Sequence, residues 1–206
     1  PPPDWAQDFR LPQEQVLQDT IKDHEDAIQN LYTSLDTARE ALQKAQKASR
    51  ILYEADQMKL NQYVRESFYV LGAELLPAME NGKEAFRAQL PNGLQATIDV
   101  KIFLNSLEIE PILALDRFVR DSLATEGRES KGILVVNMRP DSNPTERGLL
   151  LPPEAINAAQ KTHICLITTT QLFNILSMRQ KGVVSPEQFW QILFQTSGLA
   201  NIPELT

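Results

Sequence analysis

The residues best suited to chemistry are Asp99 and Lys101. They lie in Gln95-Ala96-Thr97-Ile98-Asp99-Val100-Lys101-Ile102-Phe103-Leu104, where apolar and polar side chains alternate. A period of two marks a strand. Gln95, Thr97, Asp99, Lys101 and Phe103 then point to one side, while Ala96, Ile98, Val100, Ile102 and Leu104 point into the core. Asp99 and Lys101 thus stand together on a polar face. A carboxylate and an ammonium at this spacing can hold a divalent metal and orient a water beside it. The same spacing also arises on solvated strand faces, where it only pairs two charges.

A second set of polar groups follows an apolar run. The loop Asn137-Met138-Arg139-Pro140-Asp141-Ser142-Asn143-Pro144-Thr145-Glu146-Arg147 leaves the carboxyl end of a buried strand. Loops at that end of a parallel sheet often form ligand sites. Asn137, Arg139 and Arg147 are therefore candidate contacts for an anion, against the plainer reading of a solvated loop shaped by two prolines. Cys165, within His163-Ile164-Cys165-Leu166-Ile167, reads as a buried thiol rather than a nucleophile. His24 and His163 are too far apart in sequence to make a standard zinc site with one cysteine. Thr168-Thr169-Thr170 reads mainly as a helix N-cap.

These groups belong to a chain of 206 residues with 42% hydrophobic and 23% charged residues, ordinary values for a globular protein. Mean hydropathy is −0.29, and no run of about 18 apolar residues suggests a membrane helix. The single cysteine permits no internal disulfide, which suits a reducing, cytoplasmic setting. A net charge of −7 argues against tight non-specific nucleic-acid binding, which rests on many phosphate contacts, yet leaves room for a local basic patch. Pro1-Pro2-Pro3-Asp4, without an initiator Met, suggests a fragment that begins in a proline-rich linker of a longer protein, with trimming or processing as the plainer alternative.

Stepping along the chain, residues 1–12 read as linker and 13–57 as a coiled-coil helix. Ile21, Ile28, Leu35 and Leu42 fill one heptad position; Leu17, His24, Leu31, Ala38, Ala45 and Leu52 fill another. A seam of this length favours a partner helix, either from a second copy, giving a homo-oligomer, or from elsewhere in a longer parent chain, over a helix folded on its own domain. No Pro or Gly interrupts residues 13–71, so whether this helix continues directly into the next one, which spans about 60–72, stays open. Asp19, Asp23, Glu25 and Asp26 cluster early, and Lys44, Lys47 and Arg50 late. This asymmetry suits the helix dipole and equally an antiparallel pair, so orientation stays open. Protonating His24 would put charge in the seam and weaken association below about pH 6.

Residues 58–206 read as an α/β domain. A helix ends at Gly72; strands follow at 74–79, 84–90 and 95–104, with turns at Asn81-Gly82 and Pro91-Asn92-Gly93. Then come a helix at 108–126, a strand at 132–137, a helix at 153–161, a strand at 164–168 and a helix at 170–180. Ser185-Pro186-Glu187-Gln188 opens a last helix reaching about Gln195. A three-strand meander followed by helix–strand alternation implies a mixed sheet with helices on both faces.

This order, the strand-borne Asp99-Val100-Lys101, and the stretches Ala114-Leu115-Asp116-Arg117-Phe118-Val119, Lys131-Gly132-Ile133-Leu134-Val135-Val136-Asn137 and Ile164-Cys165-Leu166-Ile167-Thr168-Thr169-Thr170-Gln171-Leu172-Phe173 resemble the restriction-endonuclease-like PD-(D/E)XK family. The likeness covers about Leu52 to Ile202 and is nearest to a bacterial subgroup whose domain follows a coiled coil. It implies an αβββαβαβ domain, and, for an active member, a Mg2+-dependent DNA or RNA nuclease, a metal-dependent phosphodiesterase with the metal on Asp99.

The family's third-strand motif falls on Asp99 and Lys101. Its second-strand acid falls near Ala85, so only the adjoining Glu84 could serve, and alternation turns Glu84 away from the side bearing Ala85, Arg87 and Gln89. The first-helix acid falls near Asn61 or Gln62, with Glu66 a turn too late, and the helical Gln falls at Ala114. The departures point to an inactive or altered site needing no cofactor. The chain then reads as an oligomerisation and interaction module, with nucleic acid as a candidate partner and no membrane contact. A regulatory domain for an enzyme encoded upstream is a third reading.

Overall fold

The computed structural model describes residues 3, 5, 11–76, 85–90, 92–147 and 151–204. The turn expected at Asn81-Gly82, part of the first expected strand and Glu84 lie outside them. By its contacts the chain divides into Pro1–Gln46 and Lys47–Thr206. The first unit is carried by α1 (Pro12–Ser49), a 38-residue helix with no buried residue. Pro12 sits at its start, where a missing N–H costs nothing.

The helix does not continue directly into the next one. After Ser49 a 3-10 turn covers Arg50–Leu52, and α2 (Gln57–Val70) begins behind an N-cap in which Asp56 accepts from the Lys59 amide at 2.9 Å. Nothing local breaks the chain here. Ile51 and Leu52 are buried with Leu60, Val64 and Phe68 of α2, and turning the backbone brings both groups to one core. Leu52, the last position of the heptad read from sequence, therefore belongs to the domain interior.

Among the described residues of the second unit, six strands form one sheet in the order β1-β2-β3-β4-β5-β6. They are β1 (Glu74–Leu75), β2 (Phe86–Gln89), β3 (Gln95–Phe103), β4 (Lys131–Met138), β5 (Cys165–Thr168) and β6 (Gly198–Leu199). The first three are antiparallel and the rest run parallel to β3. The crossovers are α3 (Glu110–Glu126), α4 (Pro153–Lys161), and α5 (Thr169–Gln180) with α6 (Pro186–Gln195). The sequence did not announce β6, whose two residues are too few to show an alternation.

Two apolar clusters flank the sheet. One joins Ile98, Val100, Ile133, Val135, Cys165 and Ile167 to α2, α5 and α6, including the packed rings of Phe68, Phe189 and Trp190. The other joins Leu134, Val136, Met138 and Leu166 to Ile112 and Leu115 of α3 and Ala155 and Ala159 of α4. Central parallel strands covered on both faces carry near-continuous apolar runs, as Ile133-Leu134-Val135-Val136 does. Among the described residues no helix is long and apolar enough to cross a membrane.

Candidate functional site

Strand alternation places Ala96, Ile98 and Val100 in the first cluster, as their spacing indicates. Asp99 and Lys101 pair in register with Leu134 and Val136 of β4. In a parallel pair, register partners share a face, so both side chains lie on the α3/α4 side. That face is not the open, solvated one. Thr97 is fully buried and its Oγ1 lies 2.8 Å from Ser130 Oγ. The Asp99 side chain keeps 12% of its exposure and Lys101 keeps 30%. The helix packed over β4 closes the polar stripe from one side, a tertiary contact that alternation cannot foretell.

Within the stripe, Lys101 Nζ lies 3.6 Å from Asp99 Oδ1, and the same oxygen accepts the Val100 amide at 2.9 Å. The Asp99 carboxylate is thus engaged by its own strand. The β2–β3 register pairs Phe86 with Ile98 and Arg87 with Thr97, and β2 begins only at Phe86. On α2, Gln62 donates to Glu66 at 3.1 Å, and Gln57 donates to the Val100 carbonyl at 2.7 Å. Ala114 is exposed on α3. Among the described residues, no three His, Cys, Asp or Glu side chains gather to hold a metal.

Asn137 and Arg147 come together, whereas Arg139 does not join them. Arg147 is 5% exposed. Its Nη1 donates to Asn137 Oδ1 at 3.2 Å, its Nη2 to Leu52 O at 2.5 Å and to Pro140 O at 3.4 Å, and its Nε to Ser142 O at 3.1 Å. Asn137 also donates to Glu54 O at 3.1 Å and accepts from Thr169 Oγ1 at 2.9 Å. The guanidinium ties the β4–α4 loop to the 50–56 turn. Burial lowers its pKa, with Asp141 opposing that shift, and it stays charged. Arg139, with φ of +49°, is exposed at the carboxyl end of β4. There it lines a cleft of about 600 Å³ with Leu104, Asn105, Ser106, Asp141 and Ser142.

The threonine run caps α5 as its composition suggests: Thr168 accepts from the Gln171 amide and Gln171 closes a capping box. Local pattern does not indicate what else gathers there. Glu204 accepts from Thr168 Oγ1 at 2.9 Å and from Thr170 Oγ1, and Gln171 Nε2 donates to Ala200 O at 3.1 Å and Ile202 O at 2.9 Å. Cys165 is buried, and desolvation pushes its thiol up to about 12. Lys131, whose own pKa burial lowers, is the neighbouring cation and donates to His163 O at 2.8 Å and Thr196 O at 2.6 Å.

No protein-family model matches the chain, and no curated protein matches it in sequence. Solved structures do match. The restriction endonuclease FokI aligns over 71% of this chain and 28% of its own, with 12% identity and a TM-score of 0.52. FokI bound to DNA aligns over 75% of this chain and 30% of its own, again at 12% identity and a TM-score of 0.52. This domain has the restriction-endonuclease-like PD-(D/E)XK fold. At such low identity the likeness is one of fold, and the chain spans less than a third of the FokI chains it matches. EndoMS in its apo form aligns over 55% of this chain and 45% of its own, at 17% identity and a TM-score of 0.41. Within the PD-(D/E)XK fold, Asp99 and Lys101 occupy the strand beside the first parallel crossover.

Proposed function

We propose that this chain is an assembly and interaction module in which α1 joins copies and the PD-(D/E)XK domain engages a partner without cutting it. The observation that carries the reading is Asp99 Oδ1, already held by Lys101 at 3.6 Å and by the Val100 amide at 2.9 Å. A Mg2+ ion needs near-ideal oxygen geometry, and phosphodiester hydrolysis needs it firmly placed. A carboxylate oxygen already engaged by an ammonium and a backbone amide is poorly placed to meet that demand. The net charge of −7 also opposes strong binding along a phosphate backbone. Nucleic acid remains a candidate partner because FokI, of the same fold, is solved with DNA.

A second reading, a Mg2+-dependent nuclease, is supported by the Asp99-Val100-Lys101 spacing on a strand of this fold. Asp99 would then hold the metal, with Glu84 as the second acid and Lys101 beside the attacking water. The test is incubation of the protein with varied DNA and RNA in Mg2+ and in Mn2+, alongside Asp99→Ala and Lys101→Ala. Cleavage abolished by both substitutions overturns the non-cutting reading. No cleavage, together with no metal uptake in calorimetry, upholds it. The assembly half is read by sedimentation: Ile28→Asp and Leu35→Asp should abolish association, because each buries a charge in the seam.

A further inference from the structure

The unpartnered face of α1 carries more information than its apolar content. We propose that α1 pairs with α1 of a second copy as an antiparallel coiled coil, in the register that sets Leu31 against Leu35 of the second copy. This rests on the reading of α1 as an assembly helix and specifies its partner, direction and register.

The helix supplies three observations. First, its apolar seam is uncovered: Ile21, Ile28, Leu31 and Leu35 retain 56%, 51%, 69% and 44% exposure. Second, the regular helix ends at Ser49, and Leu52 turns into the domain core. The seam available for pairing therefore runs from Leu17 to Ser49. Third, the positions flanking that seam are nearly free of charge. On one flank stand Thr20, Ala27, Ser34, Ala41 and Ala48; on the other stand Gln18, Glu25, Tyr32, Arg39 and Gln46. Glu25 and Arg39 are the charged members.

Direction follows from where those two charges can meet. In a parallel pair, each residue of the first flank faces one of the second. Glu25 then meets Thr20, and Arg39 meets Ser34, with no opposite charge in reach. In an antiparallel pair each flank faces itself. With Leu31 against Leu35, Glu25 faces Arg39 of the second copy, and the two-fold repeats the contact. Shifting the register by one heptad either way separates them.

The same register matches volumes. Ile28 meets Ala38 and Ile21 meets Ala45, so each β-branched side chain fills the space a small one leaves. A parallel pair would instead oppose Ala38 to Ala38 and Ala45 to Ala45, leaving thin layers. The acidic cluster Asp19, Asp23 and Asp26 also comes alongside Lys44 and Lys47 rather than alongside itself. The existing Arg39–Asp36 ion pair, 3.4 Å long and exposed on both sides, is weak enough to be exchanged.

The test uses the full chain with single introduced cysteines, the native Cys165 being buried. In this register Ser34 faces its own counterpart across the two-fold. The two copies of Ile21 lie ~36 Å apart along the axis at 1.5 Å per residue. Oxidation should link Ser34→Cys into a dimer and leave Ile21→Cys unlinked. Glu25→Arg should weaken the dimer by about tenfold, and adding Arg39→Glu should recover most of it. A sedimenting dimer in which Ile21→Cys links and Ser34→Cys does not overturns the antiparallel direction while leaving α1 as the assembly helix. A wild-type chain that sediments as a monomer removes the assembly helix itself.

Discussion

Arg147 Nη1 donates to Asn137 Oδ1 across 3.2 Å inside the domain, where both side chains are buried. The contact joins the end of a central strand to the loop that follows it. Through Leu52 O it reaches the turn that ends the N-terminal helix. A planar fork with five donors can serve several carbonyls at once, which a lysine ammonium cannot. Replacing Arg147 with Met should therefore strand several carbonyls and cost about 3 kcal/mol, at roughly 1–3 kcal/mol per lost charged hydrogen bond after partial repair. Arg147→Lys should recover less than half. Urea unfolding followed by circular dichroism reads both, and wild-type stability in Arg147→Lys would show that the fork geometry is not what binds the loop.

Gly132 lies in β4 where a side chain has no room. A Cβ there would overlap Ile164 Cδ1 and sit 3.4 Å from Val119 Cγ2. Ile164 is 2% exposed and held within the α3/α4 cluster, so it can yield only by repacking. Gly132→Ala should destabilise the domain by about 1–3 kcal/mol, the usual cost of overfilling a core. Ile164→Val deletes the clashing methyl, so the double variant should be more stable than Gly132→Ala alone. Additive losses in the two-variant cycle would contradict the contact.

Cys165 and Lys131 give stability an alkaline signature. Burial raises the thiol from 9.0 to about 12. A group with a raised folded pKa contributes stability that is whole below its unfolded pKa and is lost as pH climbs to the folded one. Cys165 thus destabilises the fold progressively between pH 9.0 and about 12. Lys131, lowered by burial, acts with the opposite sign, because its charged form is the disfavoured one. The difference in urea midpoint between wild type and Cys165→Ala should be nearly constant below pH 8.5 and should shift against wild type above pH 9. In the native protein at pH 8 the thiol should also resist alkylation, becoming reactive only on unfolding. Rapid native labelling would contradict its burial.

Much of the fold could be read from local patterns, and the reason is visible in individual residues. Ser185 and Gln188 form a capping box whose reciprocal hydrogen bonds use only a four-residue span. The β3 alternation sends Ala96, Ile98 and Val100 into one cluster because neighbouring side chains on a strand must point to opposite faces. Such features depend on backbone geometry that a few residues set by themselves. The heptad in α1 belongs with them.

Other features depended on contacts between residues remote in sequence. Alternation put Asp99 and Lys101 on one side of a strand, but only the packing of α3 and α4 decided that this side is largely covered. Spacing offered Arg147 as an anion contact. The tertiary structure turned it inward, because Leu52 O, Pro140 O and Asn137 meet there and bury its donors. The helix stops at Ser49 without a proline or glycine, since burying Ile51 and Leu52 beside α2 outweighs continuing a solvent-exposed helix. Residue order therefore determined the elements and their faces. Long-range burial of apolar groups, and the need to satisfy polar groups caught within it, decided which faces remain open.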